Sequence, residues 1–203
     1  MTAITHLFTD LGGVLLTNGW DRGLRKLVAE RFGIDAAEMD ERHHLTYDTY
    51  ERGKIDLAEY LRRTVFWEPR GFTPQQVVEF MLAQARSFPE MIELVRNLKV
   101  RYRLRVVVVS NEGRELTADR IRRFDLKEFV DFFVVSSYVH FRKPDEDIYR
   151  IALDVAQAEP GGVIYLDDRQ MFVEVAGRMG MRPIWHRDLA MTRSALAELG
   201  LAI

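Results

Sequence analysis

Four short apolar runs, each closing on a polar residue, punctuate the chain: ITHLFTD ending at Asp10, VVVVSN at Asn111, FFVVSS at Ser137 and VIYLDD at Asp168. Near-continuous apolar runs of this length are what a parallel strand covered on both faces requires. A fifth run, MRPIWH, contains Pro183, which cannot donate to a sheet ladder and so suits a strand start or an edge. Between the runs, apolar residues recur at helical spacing. Met91, Leu94, Val95 and Leu98 form one stripe; Ile148, Ile151, Ala152 and Val155 another; Phe172, Val173, Ala176 and Met179 a third, closed by Gly180 as a C-terminal cap. Strands alternating with helices predict an open parallel α/β sheet with helices on both faces and right-handed crossovers. In such sheets ligands gather at the carboxyl ends of the strands.

The spacing is uneven. Asp10 to Ser110 spans 100 positions, Ser110 to Lys143 33, and Lys143 to Asp167 24, whereas a strand-helix-strand unit takes about 30 or a little more. The surplus of the first crossover reads as helices. Leu24, Leu27, Val28 and Phe32 precede Gly33; Leu57, Tyr60, Leu61, Thr64 and Val65 follow; then come Val77, Val78, Met81, Leu82 and Ala85 behind Thr73-Pro74, a pair suited to N-cap and first helical turn. The pattern predicts a helical subdomain of about residues 17–88 standing over the strand ends of an α/β core made of residues 1–16 and 89–203.

Composition narrows the partners. The 203 residues carry 29 Lys+Arg against 31 Asp+Glu, a formal charge of -2, which gives no long-range field to gather nucleic acid or an anionic membrane. The arginines of RYRLR (Arg101 to Arg105) and Arg120, Arg122 and Arg123 read as solvated helical faces. The chain has no cysteine, which excludes disulfides, thiolate zinc sites and a cysteine nucleophile. With no apolar run of 18 residues, the expectation is a soluble, cytoplasmic protein.

Several polar residues fall at the predicted strand ends. Asp10 is followed by Leu11-Gly12-Gly13, where two glycines would let backbone amides approach a ligand; an N-capping aspartate in a glycine turn would look the same. Ser110-Asn111 offers a hydroxyl and an amide to an anion, or a plain turn. A serine nucleophile fits poorly, because VVVVSNEG lacks the glycine two positions before the serine. Lys143, just before Pro144, could place a fixed charge on a phosphoryl oxygen or be a surface lysine. The pair Asp167-Asp168 offers hard oxygen ligands of the kind Mg²⁺ takes. Together, and in this order, these groups match phosphoryl transfer through an aspartyl-phosphate.

The motifs FTDLGGVL, VVVVSN, RKPDEDIY and VIYLDD resemble those of the haloacid dehalogenase-like (HAD) hydrolase superfamily, and YERGKIDLAEYLRR resembles the cap of its subfamily I branch of sugar-phosphate phosphatases and the N-terminal domain of soluble epoxide hydrolase. The resemblance implies a Rossmann-like core and a Mg²⁺-dependent phosphatase of a small phosphorylated metabolite, sugar phosphates among the candidates. Asp10 would be nucleophile and metal ligand, and Lys143, also catalytic, would bind the phosphoryl group with Ser110. Ser110, Asn111 and Gly13 would bind phosphate, and the Gly12 carbonyl, Asp167 and Asp168 would complete the metal site. Two departures stand out. Gly12 replaces the second aspartate that most of these phosphatases use as general acid and base, and Arg169-Gln170-Met171-Phe172 supplies no further acid after the fourth motif. Loss of general acid catalysis is worth about 10² to 10⁴ in rate, which slows such an enzyme without abolishing it.

Substrate choice falls to the inner face of the cap, for which Asn18, Trp20, Arg22, His43, His44, Tyr47, Tyr50 and Trp67 are candidates. The competing readings are metal-independent carbon-halogen hydrolysis, against which the acidic pair speaks, and a phosphate-binding module weakened by Gly12. A receiver-like domain would carry its acidic pair on the first strand and no large insertion.

Overall fold

In the computed structural model, which describes residues 2–203, the five apolar runs become five parallel strands: β1 (His6–Thr9), β2 (Arg105–Ser110), β3 (Phe132–Val135), β4 (Val163–Asp167) and β5 (Arg182–Trp185). Their order is β3-β2-β1-β4-β5. The chain winds outward from β1 and then returns to its other side, so the strand order reverses beside β1 and a crevice opens there. Pro183 lies on the edge strand β5, as its missing N–H demands.

Ten α-helices, with short 3-10 turns at Leu126–Glu128 and Pro160–Gly162, complete the described chain: α1 (Arg22–Phe32), α2 (Ala36–Glu51), α3 (Leu57–Thr64), α4 (Pro74–Ala83), α5 (Pro89–Tyr102), α6 (Arg114–Arg123), α7 (Ser136–Val139), α8 (Glu146–Ala156), α9 (Gln170–Arg178) and α10 (Leu189–Glu198). Successive strand residues face opposite ways, and both faces are covered. Leu7, Val106, Val108 and Leu166 pack against Leu94 and Leu98 of α5 and Leu196 of α10. Phe8, Val107 and Tyr165 pack against Ile148 and Ala152 of α8 and Ala176 of α9. Burial on both sides is why these strands read as unbroken apolar runs.

Helices α1 to α4 form the inserted cap, with a core of their own around Val28, Tyr60, Leu61 and Val77, closed by Leu116 of α6. Local chemistry sets the ends of these helices. Asp21, Asp35 and Asp56 accept first-turn amides, Thr73 and Gln76 form a capping box, and Gly33 ends α1 in the left-handed region at φ 64°. The cap meets the core at two glycines. A Cβ on Gly113 would fall 2.0 Å from Cζ of Tyr50, and one on Gly53 would fall 2.3 Å from the carbonyl oxygen of Ser137. Either substitution would push the cap off the strand ends.

Four of the predicted elements or helix faces differ in the structure. The third strand stops at Val135, and Ser136–Val139 turns into α7 because Ser136 Oγ is drawn to the Glu112 amide, 3.0 Å away. On α8 the buried face is Ile148, Tyr149, Ala152 and Leu153, while Val155 is exposed. That rotation is set by Tyr149, whose ring packs 5.2 Å from Tyr165 and whose hydroxyl donates to the Phe172 carbonyl. In α1, Leu27 faces solvent. Helix α2 carries no apolar stripe, burying only Met39, Thr46 and Tyr50, so periodicity did not reveal it.

Among the described residues, no helix is long and apolar enough to cross a membrane.

Candidate active site

Asp10 follows the last residue of β1, and its amide donates to the Leu166 carbonyl of β4 at 2.8 Å, so the carboxylate is carried by the sheet itself. One oxygen, Oδ1, accepts from the Leu11 amide at 2.7 Å and lies 3.1 Å from Lys143 Nζ. The same Nζ donates to Asp167 Oδ2 at 2.7 Å. Asp167 is fixed twice more: Tyr165 Oη donates to Oδ2 at 2.7 Å, and the Arg169 amide to Oδ1 at 2.9 Å. Lys143 is 1% exposed and Asp167 0%. Ion pairs in such surroundings hold only because every partner is present.

Burial governs the charges here. It pushes the Asp10 carboxyl up to about 7; Asp167 acts in the same direction, and Lys143, Ser110 and the Leu11 amide oppose both. Burial also works against the charge on Lys143, but Asp10 and Asp167 outweigh it and hold the ammonium above the usual lysine value. Asp168, half-buried, is raised by burial and then by Asp167. One oxygen from each of Asp10, Asp167 and Asp168 can be chosen so that all three lie within 4.8 Å of one another. Three hard oxygen donors converging at a strand end fit a divalent cation such as Mg²⁺. Gly13 makes room for the third: its φ is 78°, and a Cβ would fall 2.3 Å from Asp168 Oδ2.

The other predicted residues divide. Ser110, the last residue of β2, is buried and lines the cavity beside Asp10. Asn111 lines it too, but its side chain is committed to Lys143, donating to the Lys143 carbonyl and accepting from its amide, each at 2.8 Å. The amide of Gly13 donates to the Leu16 carbonyl at 2.7 Å. Gly12 lines the cavity, and a Cβ there would stand 3.0 Å from Asn18 Oδ1 and 3.9 Å from Arg120 Nη1. Where a second aspartate would project, the space is bordered by Arg120, paired at 2.8 Å with Glu112.

That pair overturns one expectation. Arg120 is 2% exposed and also donates to the Thr17 carbonyl, whereas Arg122 on the same helix lies in solvent. A buried carboxylate from the Ser110 loop explains the difference: Glu112 needs a cation, and its carboxyl is raised by burial against the pull of Arg120 and Thr117.

Above the carboxylates lies a cavity of about 610 Å³ between core and cap. Of the cap candidates, Asn18, Trp20, Arg22, His43, Tyr47 and Tyr50 line it, and His44 and Trp67 do not. Trp67 instead lies under the guanidinium groups of Arg42 and Arg70. Residues that sequence reasoning passed over include Glu51, Arg142 and Phe172. Arg142 donates to Glu51 Oε2 through Nε at 3.0 Å and Nη2 at 2.6 Å, tying the residue before Lys143 to α2 of the cap. Its only sequence signal is its place beside Lys143.

Known proteins resemble this chain in sequence and in fold. The chain is 26% identical over 94% of its length to bifunctional epoxide hydrolase 2 of Sus scrofa, of which it spans 37%. It is 27% identical over 64% of its length to a phosphorylated carbohydrates phosphatase of Thermotoga maritima, 56% of which is covered. Its fold matches a HAD family enzyme of Bacteroides thetaiotaomicron, solved with magnesium and inorganic phosphate, at a TM-score of 0.74 and 18% identity over 91% of this chain and 95% of that one. The chain thus spans between about a third and just over half of the two curated relatives. A family model described as haloacid dehalogenase-like hydrolase matches residues 4–180, and the chain belongs to that family.

Proposed function

We propose that the protein is a Mg²⁺-dependent phosphatase of a small phosphorylated metabolite, acting through a phosphoryl group transferred to Asp10. The observation that carries this reading is the convergence of Asp10, Asp167 and Asp168 within 4.8 Å, with Lys143 Nζ bonded between the first two. In this reading Asp10 Oδ attacks phosphorus and the ester P–O bond breaks, the alcohol leaving with a proton taken from solvent. Water then cleaves the acyl phosphate, returning the carboxylate and releasing phosphate. Lys143 and the Ser110 hydroxyl hold phosphoryl oxygens, and Asn111 serves by fixing the Lys143 main chain. Asp10, the Gly12 carbonyl, Asp167 and Asp168 would hold the metal, whose charge lets an anionic ester approach an anionic nucleophile. Gly12 brings no carboxyl to protonate the leaving oxygen, so esters with acidic leaving groups should turn over fastest.

Support also comes from the relatives, one named a phosphorylated carbohydrates phosphatase and another solved with magnesium and phosphate. The acidic cluster favours this chemistry over metal-free dehalogenation. The cap boundaries we propose are residues 17–88. The test is a broad phosphate-ester panel run with and without Mg²⁺ on wild type and Asp10→Asn. Metal-dependent turnover lost in the variant is expected. Metal-free turnover of a 2-haloacid in place of the esters would favour a dehalogenase-type enzyme, and phosphate binding without turnover would favour a binding module.

A further inference from the structure

The cap wall holds a hydrogen-bonded chain that the phosphoryl chemistry does not use. Trp20 Nε1 donates to Tyr60 Oη at 2.6 Å, and the same oxygen lies 2.7 Å from His43 Nδ1. An indole N–H can only donate, so Tyr60 Oη is already an acceptor. Tyr60 is fully buried. If His43 Nδ1 carried the proton, the Tyr60 hydroxyl would accept twice and leave its own buried proton unpaired, an arrangement folded proteins avoid. Tyr60 therefore donates to His43 Nδ1, and the imidazole proton sits on Nε2.

The ring is also held in orientation. His43 stacks on Tyr47 at 5.2 Å and 29° and stands edge-on to Tyr60 at 6.2 Å, while Arg142 lies 5.0 Å over the Tyr47 ring. His43 lines the cavity and Tyr60 does not, so the Nδ1 edge is turned into the cap and the Nε2 edge toward the cavity. Nε2 is in no hydrogen bond among the described residues. Burial, then Arg25, brings the His43 pKa down to about 4, against Asp40 and with a small push from His44. Asp40 is itself occupied, accepting two bonds from Arg25. The ring is thus neutral at pH 7, with one N–H facing the cavity.

The cavity wall carries five Asp or Glu and five Lys or Arg, so its formal charge is balanced. Lys143, Arg142 and Arg25 in this wall are each paired with a carboxylate, whereas Arg22 is in no ion pair among the described residues. A neutral imidazole N–H in this wall can bond an uncharged substrate oxygen without needing a counter-charge. We infer that His43 is a specificity-determining residue whose Nε2–H donates to a hydroxyl oxygen of the substrate's alcohol part. The inference rests on reading the Asp10 site as a phosphatase.

Two measurements on the full chain test it. Nitrogen NMR of histidine-labelled wild type, assigned with His43→Gln, should show Nε2 protonated and Nδ1 bare at pH 7, and Tyr60→Phe should mix the tautomers. A ring protonated on Nδ1, or on both nitrogens, would overturn the inference whatever the kinetics show. Kinetically, the quantity to follow is the kcat/KM for the best polyol phosphate of a panel divided by that for 4-nitrophenyl phosphate. His43→Phe should lower this ratio about tenfold, the worth of one hydrogen bond. An unchanged ratio in a variant that melts like wild type would sink the role of His43. Wild type turning over neither ester would count against the phosphatase reading instead, with the tautomer still decided by NMR.

Discussion

Lys143 and Arg142 are neighbours in sequence, carry the same charge and face the same cavity, yet they are built into it differently. Lys143 is wholly buried between two carboxylates at the ends of β1 and β4, with Asn111 bonded to both sides of its main chain. The Arg142 side chain keeps 19% of its exposure and reaches across to Glu51 of the cap. One lies in a floor fixed by the sheet, the other in a wall assembled from two subdomains. A reacting group needs the first kind of setting, because misplacement by an ångström costs rate. A recognition surface can use the second, because cap helices can change without disturbing the strand ends.

If the floor is the reacting part, its removal should dwarf every other effect. Asp10→Asn should lower turnover of an aryl phosphate by on the order of 10⁴ or more, the scale seen when a covalent nucleophile is removed, with an unchanged circular dichroism spectrum. Next in size is Lys143→Met. It leaves Asp10 and Asp167 facing each other without a cation and should cost about 3–5 kcal/mol in denaturant unfolding.

The wall should respond more mildly. Arg142→Ala breaks a partly exposed pair and should cost about 1–2 kcal/mol. It should also raise KM more than it lowers kcat; the reverse split would move Arg142 to the floor. The smallest effect concerns pH. The His43 pKa is depressed from 6.5 to about 4 on folding, so the unfolded chain binds more protons between those values. Its contribution is present above pH 6.5 and is lost as pH falls toward 4. His43→Gln should flatten that part of the stability-pH curve by on the order of 1 kcal/mol, after discounting for solvent at this half-exposed ring. His6 and His186 are also lowered and should leave the remaining slope.

The same contrast governs how much the sequence discloses. Floor residues sit at the ends of apolar runs, so Asp10, Ser110, Asp167 and Asp168 could be located by the strands that carry them. Wall residues depend on partners distant in sequence. His43 is aligned by Tyr60 on another helix, and Arg142 is explained by Glu51, Asp48 and Tyr47 of the cap. Helix α2 stayed hidden because one side faces a polar cavity rather than a core. Arg120 looked solvated because nothing in its own helix announces a buried partner; Glu112 lies in the loop before it. Gly12 was legible as a missing acid, but the Arg120-Glu112 pair bordering its space was not.

Covalent transfer to Asp10 is the central claim, and acid-quenched mass spectrometry within the first turnover of 4-nitrophenyl phosphate with Mg²⁺ tests it most directly. The account predicts a single added phosphoryl group, mapped to the peptide containing Asp10, absent in Asp10→Asn and absent when Mg²⁺ is chelated. Phosphate release at the wild-type rate from Asp10→Asn, or a phosphoryl group mapped to any other residue, would contradict it.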